Sequence, residues 1–109
     1  MDRHHSIPPM HPGELLREDV LPALDVSKAE LARTLGISRQ TLYDLINERQ
    51  PVTAEMAVRL GKALGSSPRF WLDLQRAFDL AAAERSVDVS RIPRIAAVKD
   101  PDVIDRPRG

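Results

Sequence analysis

Apolar side chains recur at intervals of three and four residues from about residue 12 to about residue 85. This spacing is typical of amphipathic helices, because it gathers apolar side chains on one face of each helical turn. The clearest stripe consists of Met56, Ala57, Leu60, Ala63 and Leu64. No window alternates apolar and polar residues convincingly enough for a core strand. The pattern therefore predicts an all-α domain.

Signals for helix ends divide this pattern into five predicted helices. Helix 1 begins at Pro12, since proline suits a first helical position, and His11 can cap it. We expect this helix to end near Val20, before Pro22, because proline cannot continue a helix without losing a hydrogen bond. The other four helices are predicted to begin at the caps Ser27, Ser38, Thr53 and Ser67. Their predicted ends are Gly36, about Asn47, Gly65 and about Glu84.

Prolines near both ends of the chain mark the limits of the helical region. We predict a flexible N-terminal segment over residues 1–10, a single domain over 11–85 and a proline-containing tail over 86–109. A length of 109 residues supports one compact domain. Within the tail, the apolar stretch 92–98 can be a strand that docks on a protein partner, or part of a disordered end. The sequence leaves both readings open.

Charge is balanced overall but unevenly distributed. The chain has 16 basic and 16 acidic side chains, which argues against a protein that coats nucleic acid indiscriminately. Residues 1–25 contain two basic and five acidic side chains, whereas residues 26–75 contain seven basic and five acidic ones. The middle of the chain is therefore mildly basic, and a small basic patch remains compatible with the neutral total.

Several classes of site are not expected. The chain has no cysteine, and its three histidines all lie within the first eleven residues, so no metal site is expected. No catalytic constellation or phosphate-binding loop appears, so we predict a non-enzyme without a cofactor. The longest apolar runs, 80–83 and 95–98, are too short to span a membrane, and no secretory leader opens the chain. A cytoplasmic protein is expected.

Helices 2 and 3 have the dimensions of a helix-turn-helix, because only Gly36, Ile37 and Ser38 join them. Around helix 3, apolar and polar residues separate onto opposite sides at about 100° per residue. Leu42, Leu45 and Ile46 form the predicted inner face. Gln40, Tyr43, Asp44 and Asn47 form the predicted outer face, flanked by Arg39 and Thr41.

The outer face of helix 3 carries the residue types that base edges require. Amide side chains can bond adenine and arginine can bond guanine, each through two hydrogen bonds. The candidates for base contacts are Arg39, Gln40 and Thr41 in the first turn, then Tyr43, Asp44 and Asn47. The candidates for phosphate contacts are Ser27, Lys28, Ser38, Arg33 and Arg49. A polar outer face can also be merely solvated, and the spacing alone leaves DNA binding and a plain helical module open.

Particular motifs resemble known families. The residues Glu30-Leu31-Ala32, Gly36-Ile37-Ser38, Thr41-Leu42 and Leu45-Ile46-Asn47 resemble XRE/Cro-type helix-turn-helix repressors. Flanking motifs extend the similarity to the HigA/VapI family of antitoxins across residues 11–80. They are His11-Pro12-Gly13-Glu14-x-Leu16, Val52-Thr53-Ala54-Glu55-Met56-Ala57-x-Arg59-Leu60 and Phe70-Trp71-Leu72-x-Leu74-Gln75, followed by Asp79-Leu80. The resemblance implies a five-helix, lambda-repressor-like domain with short terminal extensions.

The resemblance also implies a function. Members of this family are homodimeric repressors that bind a palindromic operator upstream of their own operon and neutralise a RelE/HigB-like endoribonuclease toxin. Two alternatives remain: a free-standing XRE-type repressor without a toxin, and a protein-interaction module that does not bind DNA. The chain departs from the family pattern at Glu48, where glycine is frequent. Since glutamate tolerates a left-handed backbone poorly, the end of helix 3 and any contact by Arg49 are in question.

Helix 5 supplies the remaining candidates. We expect Phe70, Trp71 and Leu74 to pack in the core, because they share one stripe of the helix. Leu72 and Leu80 point away from that stripe and are expected to be exposed, which makes them candidates for dimer contacts. The polar residues of the flanking motifs are expected to bond neighbours or helix ends rather than DNA; they are Arg59, Gln75 and Asp79.

Overall fold

The computed structural model describes residues 9–95, which form five helices and contain no strand. Helix α1 spans residues 12–24 in three consecutive parts: α-helical Pro12–Leu15, π-helical Leu16–Val20 and α-helical Leu21–Leu24. The others are α2 (Lys28–Leu35), α3 (Arg39–Ile46), α4 (Ala54–Leu64) and α5 (Pro68–Ser86). The prediction of an all-α, five-helix domain is confirmed. Residues 1–8 and 96–109, which include most of both predicted extensions, lie outside the described part.

The predicted N-terminal caps form at every helix. Each cap residue has an extended backbone, and its side chain accepts a hydrogen bond from an amide two or three residues later. Such caps are typically worth about 1 kcal/mol each. The caps are His11, Ser27, Ser38, Thr53 and Ser67. The sequence alone therefore located the start of each helix.

The predicted end of α1 is wrong. The helix continues past Val20 and through Pro22 to Leu24, and it stops at Asp25, whose backbone is left-handed with φ 55°. The ring of Pro22 would clash with the carbonyl of residue 18 in a regular α-helix. The widened π-helical turn immediately before the proline accommodates this clash, and the amide of Leu21 bonds a carbonyl five residues back.

The core lies between α1, α2, α3, α4 and the first half of α5. Its members are almost fully buried, and burial of each such side chain contributes roughly 1.5–3 kcal/mol. The largest are Leu16, Leu42, Leu45, Ile46, Leu60 and Trp71. Helices α1 and α4 therefore lie on the inner side of the helix-turn-helix. They carry none of the residues predicted to contact DNA.

Two expectations for α5 need correction. Trp71 is buried and Leu74 is partly buried, as predicted, but Phe70 is 45% exposed. Its ring lies edge-on to Trp71 at 5.2 Å, on the rim of an apolar groove that the extra turn of α1 helps to build. Leu72 is partly buried against the core rather than exposed, because the segment before α4 packs beside it, whereas Leu80 is 59% exposed as expected.

His11 is buried beneath the helices, with only 3% of its surface exposed. Its Nδ1 accepts a hydrogen bond from the amide of Gly13 at 2.9 Å, and its ring meets Phe78 edge-on at 5.0 Å. Desolvation by burial lowers the pKa of His11 below its ordinary value, against the opposing effect of Glu48 and Asp79. A nitrogen that accepts a bond must also be unprotonated, so the fold favours neutral histidine.

This burial predicts a loss of stability in mild acid. Because the folded pKa of His11 is below the unfolded one, its contribution is complete above pH of about 6.5 and declines as the pH falls further. The limiting slope for one such group is about 1.4 kcal/mol per pH unit. His11→Asn, which preserves a capping side chain, should flatten the fall in the free energy of unfolding between pH 7 and pH 5. Equal slopes for both proteins, measured by urea unfolding, would contradict this account.

Candidate nucleic-acid interface

The joint between α2 and α3 takes the predicted form. Gly36 ends α2 with a left-handed backbone at φ 73°, and Ser38 caps α3 two residues later. Leu42, Leu45 and Ile46 are at most 1% exposed, so α3 is anchored by its inner face. The opposite face of α3 is consequently turned outward, which confirms the predicted division of the helix.

The outer face of α3 is organised around Asp44. The amide nitrogen of Gln40 donates to Asp44 Oδ1 at 2.9 Å, and the guanidinium of Arg49 approaches the same oxygen at 3.3 Å. One N–H and the carbonyl oxygen of Gln40 remain for another partner, since the amide carries two donors. Asp44 thus holds two neighbouring side chains, and the base contact predicted for it stays a prediction.

The first turn of α3 has its own hydrogen bonds. The Ser38 hydroxyl accepts from the amide of Thr41 at 3.0 Å and donates to the Thr41 hydroxyl at 2.8 Å. Both hydroxyls are therefore engaged within the helix, and Thr41 is only partly exposed. Arg39, in contrast, is exposed beside them. Of the first-turn candidates, Arg39 and Gln40 present the most accessible polar atoms.

The start of α2 lies next to this face. The ammonium of Lys28 is 5.6 Å from the centre of the Tyr43 ring, within the range of a cation–π contact. Tyr43 is 37% exposed, so the pair stands at the surface. The contact brings Lys28 of α2, which is predicted to bind a phosphate, beside Tyr43 of α3, which is predicted to contact a base. A helix-turn-helix requires this arrangement. Ser27 precedes Lys28, and its side chain accepts from the amide of Glu30 at 3.0 Å.

The two remaining phosphate candidates stand apart from this pair. Arg33 is exposed in the last turn of α2, about 140° around the helix axis from Lys28. Arg49 follows α3, and its side chain is 64% exposed despite the contact with Asp44. Exposed ion pairs of this kind are worth only about 0–1 kcal/mol, so Arg49 can exchange Asp44 for a phosphate.

The end of α3 contains a contact that the sequence analysis missed. Glu48 adopts the left-handed backbone after all, with φ 62°. The guanidinium of Arg17, on the π-helical turn of α1, donates to the carbonyl of Ile46 and lies 3.3 Å from Glu48 Oε2. Arg17 is 31 residues before Glu48, and no local pattern links them. Gly13 completes the contact, since a Cβ there would lie 2.0 Å from the carbonyl oxygen of Leu45.

The polar residues of the flanking motifs bond within the protein, as predicted. Arg59 donates to the carbonyl of Leu35 at the end of α2 at 2.7 Å and pairs with Glu55 on its own helix. Gln75 is buried, accepts from the amide of Val52 at 2.8 Å and donates to Asp79 at 2.9 Å. These groups join helices to one another and take no part in the outer face of α3.

Two further features of residues 9–95 bear on the site. They contain no cluster of three or more histidine or acidic side chains that could hold a metal ion. In the same part of the chain, no helix is both long and apolar enough to cross a membrane. On α5, Leu72 and Leu80 line an open groove with Val52 and Ala83, and Leu72 at its base also packs against the core.

Comparison with known proteins places these features in a family. A helix-turn-helix family model matches residues 16–71. The chain is similar to the uncharacterized HTH-type transcriptional regulator YddM of Escherichia coli K12, with 44% identity over 77% of this chain and 88% of that protein. It is 39% identical to antitoxin HigA-1 of Vibrio cholerae, over 66% of this chain and 68% of the antitoxin. The structure of Pseudomonas aeruginosa antitoxin HigA with the higBA promoter matches with a TM-score of 0.66 and 39% identity, over 73% of this chain and 96% of that one.

Proposed function

The chain belongs to the helix-turn-helix family that includes the HigA antitoxins, and we propose that it is itself an antitoxin that represses its own operon. The observation that carries this proposal is the outward face of α3, held beside Lys28 at the start of α2. The relative whose structure contains promoter DNA supports the same reading. A neutral chain whose middle stretch, residues 26–75, is mildly basic suits a protein that selects a particular site on DNA.

In the proposed complex, α3 enters the major groove and its first turns meet the base edges. Arg39 and Gln40 make the principal base contacts, because their polar atoms are the most accessible. Thr41, Tyr43 and Asn47 flank them, and Asp44 orients Gln40. The phosphate contacts come from exposed polar and basic side chains at the edges of the helix-turn-helix. These are Ser27, Lys28, Ser38, Arg33 and Arg49.

The partner of the antitoxin is a RelE/HigB-like endoribonuclease, which it neutralises by binding. The proposal gives this chain no catalytic step and no cofactor, and it places the protein in the bacterial cytoplasm, at the nucleoid when bound to its operator. A free-standing repressor is the second candidate, because the relative YddM is described only as a transcriptional regulator. The two functions share the DNA-binding surface and differ only in the toxin.

Two measurements test the proposed function together. The protein should shift a duplex from the region upstream of its own gene, and not a scrambled duplex of equal length. A short reading frame beside the gene should encode a basic protein that arrests growth when it is expressed alone. Co-expression of the present chain should restore growth. A specific shift without any rescue would favour the free-standing repressor. Absence of a specific shift would contradict both functions.

The base and phosphate assignments predict different behaviour for two substitutions. Gln40→Ala should lower discrimination between operator and scrambled DNA by roughly 1–3 kcal/mol, because a base contact is lost. Lys28→Ala should weaken both duplexes alike and make the dependence on salt less steep, because a phosphate contact is lost. Titration at several salt concentrations distinguishes the two effects. If neither variant changes operator binding, the recognition surface is misplaced.

We also propose that the active repressor is a homodimer on a palindromic operator. Two copies would place their α3 helices in successive major grooves, about 34 Å apart on one side of the duplex. The α5 groove is the proposed contact surface, with Leu80 as its main exposed apolar side chain and Leu72 at its base. An isolated exposed leucine needs no explanation, but one that lines a groove together with Val52, Leu72 and Ala83 is better explained by a partner.

The dimer surface is tested by Leu80→Glu. A carboxylate in an apolar contact would be desolvated without a partner, so the variant should sediment as a monomer at concentrations where the original chain is a dimer. Lys62→Glu, an exposed position on α4 outside the groove, serves as the matched control and should leave the mass unchanged. A dimer that survives Leu80→Glu would show that another surface mediates assembly.

A further inference from the structure

The segment that leaves α3 adopts a conformation that its own sequence does not favour. Glu48 is left-handed, with φ 62°, although it carries a Cβ and glycine would be the usual choice. Residues of this kind persist only where surrounding contacts hold them. The amides of Glu48 and Arg49 bond the carbonyls of Leu45 and Asp44, so this conformation sets how the chain leaves the helix.

The contacts that hold Glu48 come from α1. The side chain of Arg17 donates to the carbonyl of Ile46, one of the last carbonyls of α3, which lack a partner within the helix. A second nitrogen of the same guanidinium lies 3.3 Å from the carboxylate of Glu48. Both side chains are about one-third exposed, so the pair is partly shielded from solvent. The forked, planar guanidinium reaches both acceptors at once, each with a separate nitrogen.

We infer that Arg17 is a positioning residue for operator recognition, acting through the Ile46 carbonyl and the Glu48 carboxylate at the end of α3. This inference rests on the proposed function, since it concerns how the same surface reads DNA. Arg17 lies on α1, outside the helix-turn-helix, and its nitrogens face protein acceptors. Its effect on DNA is therefore indirect.

A continuous set of contacts connects this pair to the outer face of α3. The amide of Arg49 bonds the carbonyl of Asp44 at 2.7 Å, and its guanidinium approaches the carboxylate of the same residue. That carboxylate in turn holds the amide of Gln40 at 2.9 Å. Loss of the left-handed turn would move Arg49 and remove one of the two groups that fix Asp44. Arg17 thereby supports both Arg49, which is proposed to bind a phosphate, and Gln40, which is proposed to contact a base.

The test uses the full chain with Arg17→Met, which keeps an unbranched apolar stem but removes both contacts with the end of α3. Operator affinity should fall by about tenfold, comparable to loss of one base contact, while affinity for scrambled DNA changes by less than about threefold. Lys62→Met removes a positive charge from an exposed position on α4 and is the matched control for charge alone. It should lower both affinities slightly and by the same factor.

Glu48→Gly supplies the second arm, because glycine adopts the left-handed backbone without support. Alone it should preserve operator affinity, and combined with Arg17→Met it should recover at least half of the lost affinity on a logarithmic scale. Arg17→Lys, which retains the charge but not the fork, should give a smaller loss that Glu48→Gly also corrects. If Arg17→Met does not fold, Arg17→Lys carries the same comparison.

Hydrogen exchange in the absence of DNA separates this inference from the proposed function. In Arg17→Met the amide of Arg49 should exchange faster, while amides in the middle of α4 keep their protection. Unchanged exchange at Arg49, equal losses on operator and scrambled DNA, or no recovery with Glu48→Gly would each overturn the positioning role. Failure of the original chain to bind its operator would instead contradict the proposed function and leave the exchange result to decide the contact.

Discussion

Burial of one face of α3 sets the position of this helix and, with it, the layout of the candidate DNA-binding surface. Leu42, Leu45 and Ile46 are almost completely buried, and truncation of such a side chain to alanine typically costs about 2–5 kcal/mol. The polar contacts on the other face are exposed, and each contributes roughly 0–1 kcal/mol. Packing therefore decides where α3 lies and which side faces outward. The polar contacts only adjust the side chains that the packing has already presented.

Helix α1 supports α3 through three contacts. Leu16 belongs to the common core, Gly13 allows the backbone of α1 to approach the carbonyl of Leu45, and Arg17 binds the end of α3. A side chain of any size at Gly13 would push the two helices apart. The π-helical turn contains Leu16 and Arg17, so the irregularity that accommodates Pro22 also supplies two of these contacts. The residues outside the helix-turn-helix thus contribute directly to its geometry.

Acidic groups beside the proposed recognition surface serve as constraints on neighbouring side chains. Asp44 holds Gln40 and Arg49, and Glu48 holds Arg17. Carboxylates near DNA also repel phosphates, which lowers affinity for DNA of arbitrary sequence. The carboxylates thus lower the affinity for DNA, but they also fix the positions of the side chains that they hold. Fixed side chains favour discrimination among DNA sequences. A neutral chain can therefore bind a chosen site while remaining weakly attached to the rest of the genome.

The helical class, the cap of every helix and the inner and outer faces of α3 were predictable from the amino-acid sequence, because these features depend on neighbours within one or two turns. The motifs of the family were visible there as well. Packing between helices sets two other features: α1 passes through Pro22 and Phe70 lies at the surface. The same packing holds Glu48 in its left-handed conformation. Backbone preferences alone show that a left-handed conformation is unfavourable for Glu48. They cannot identify Arg17 as the group that offsets this cost. The two residues are distant in the chain, and only the packing of α1 against α3 brings them together.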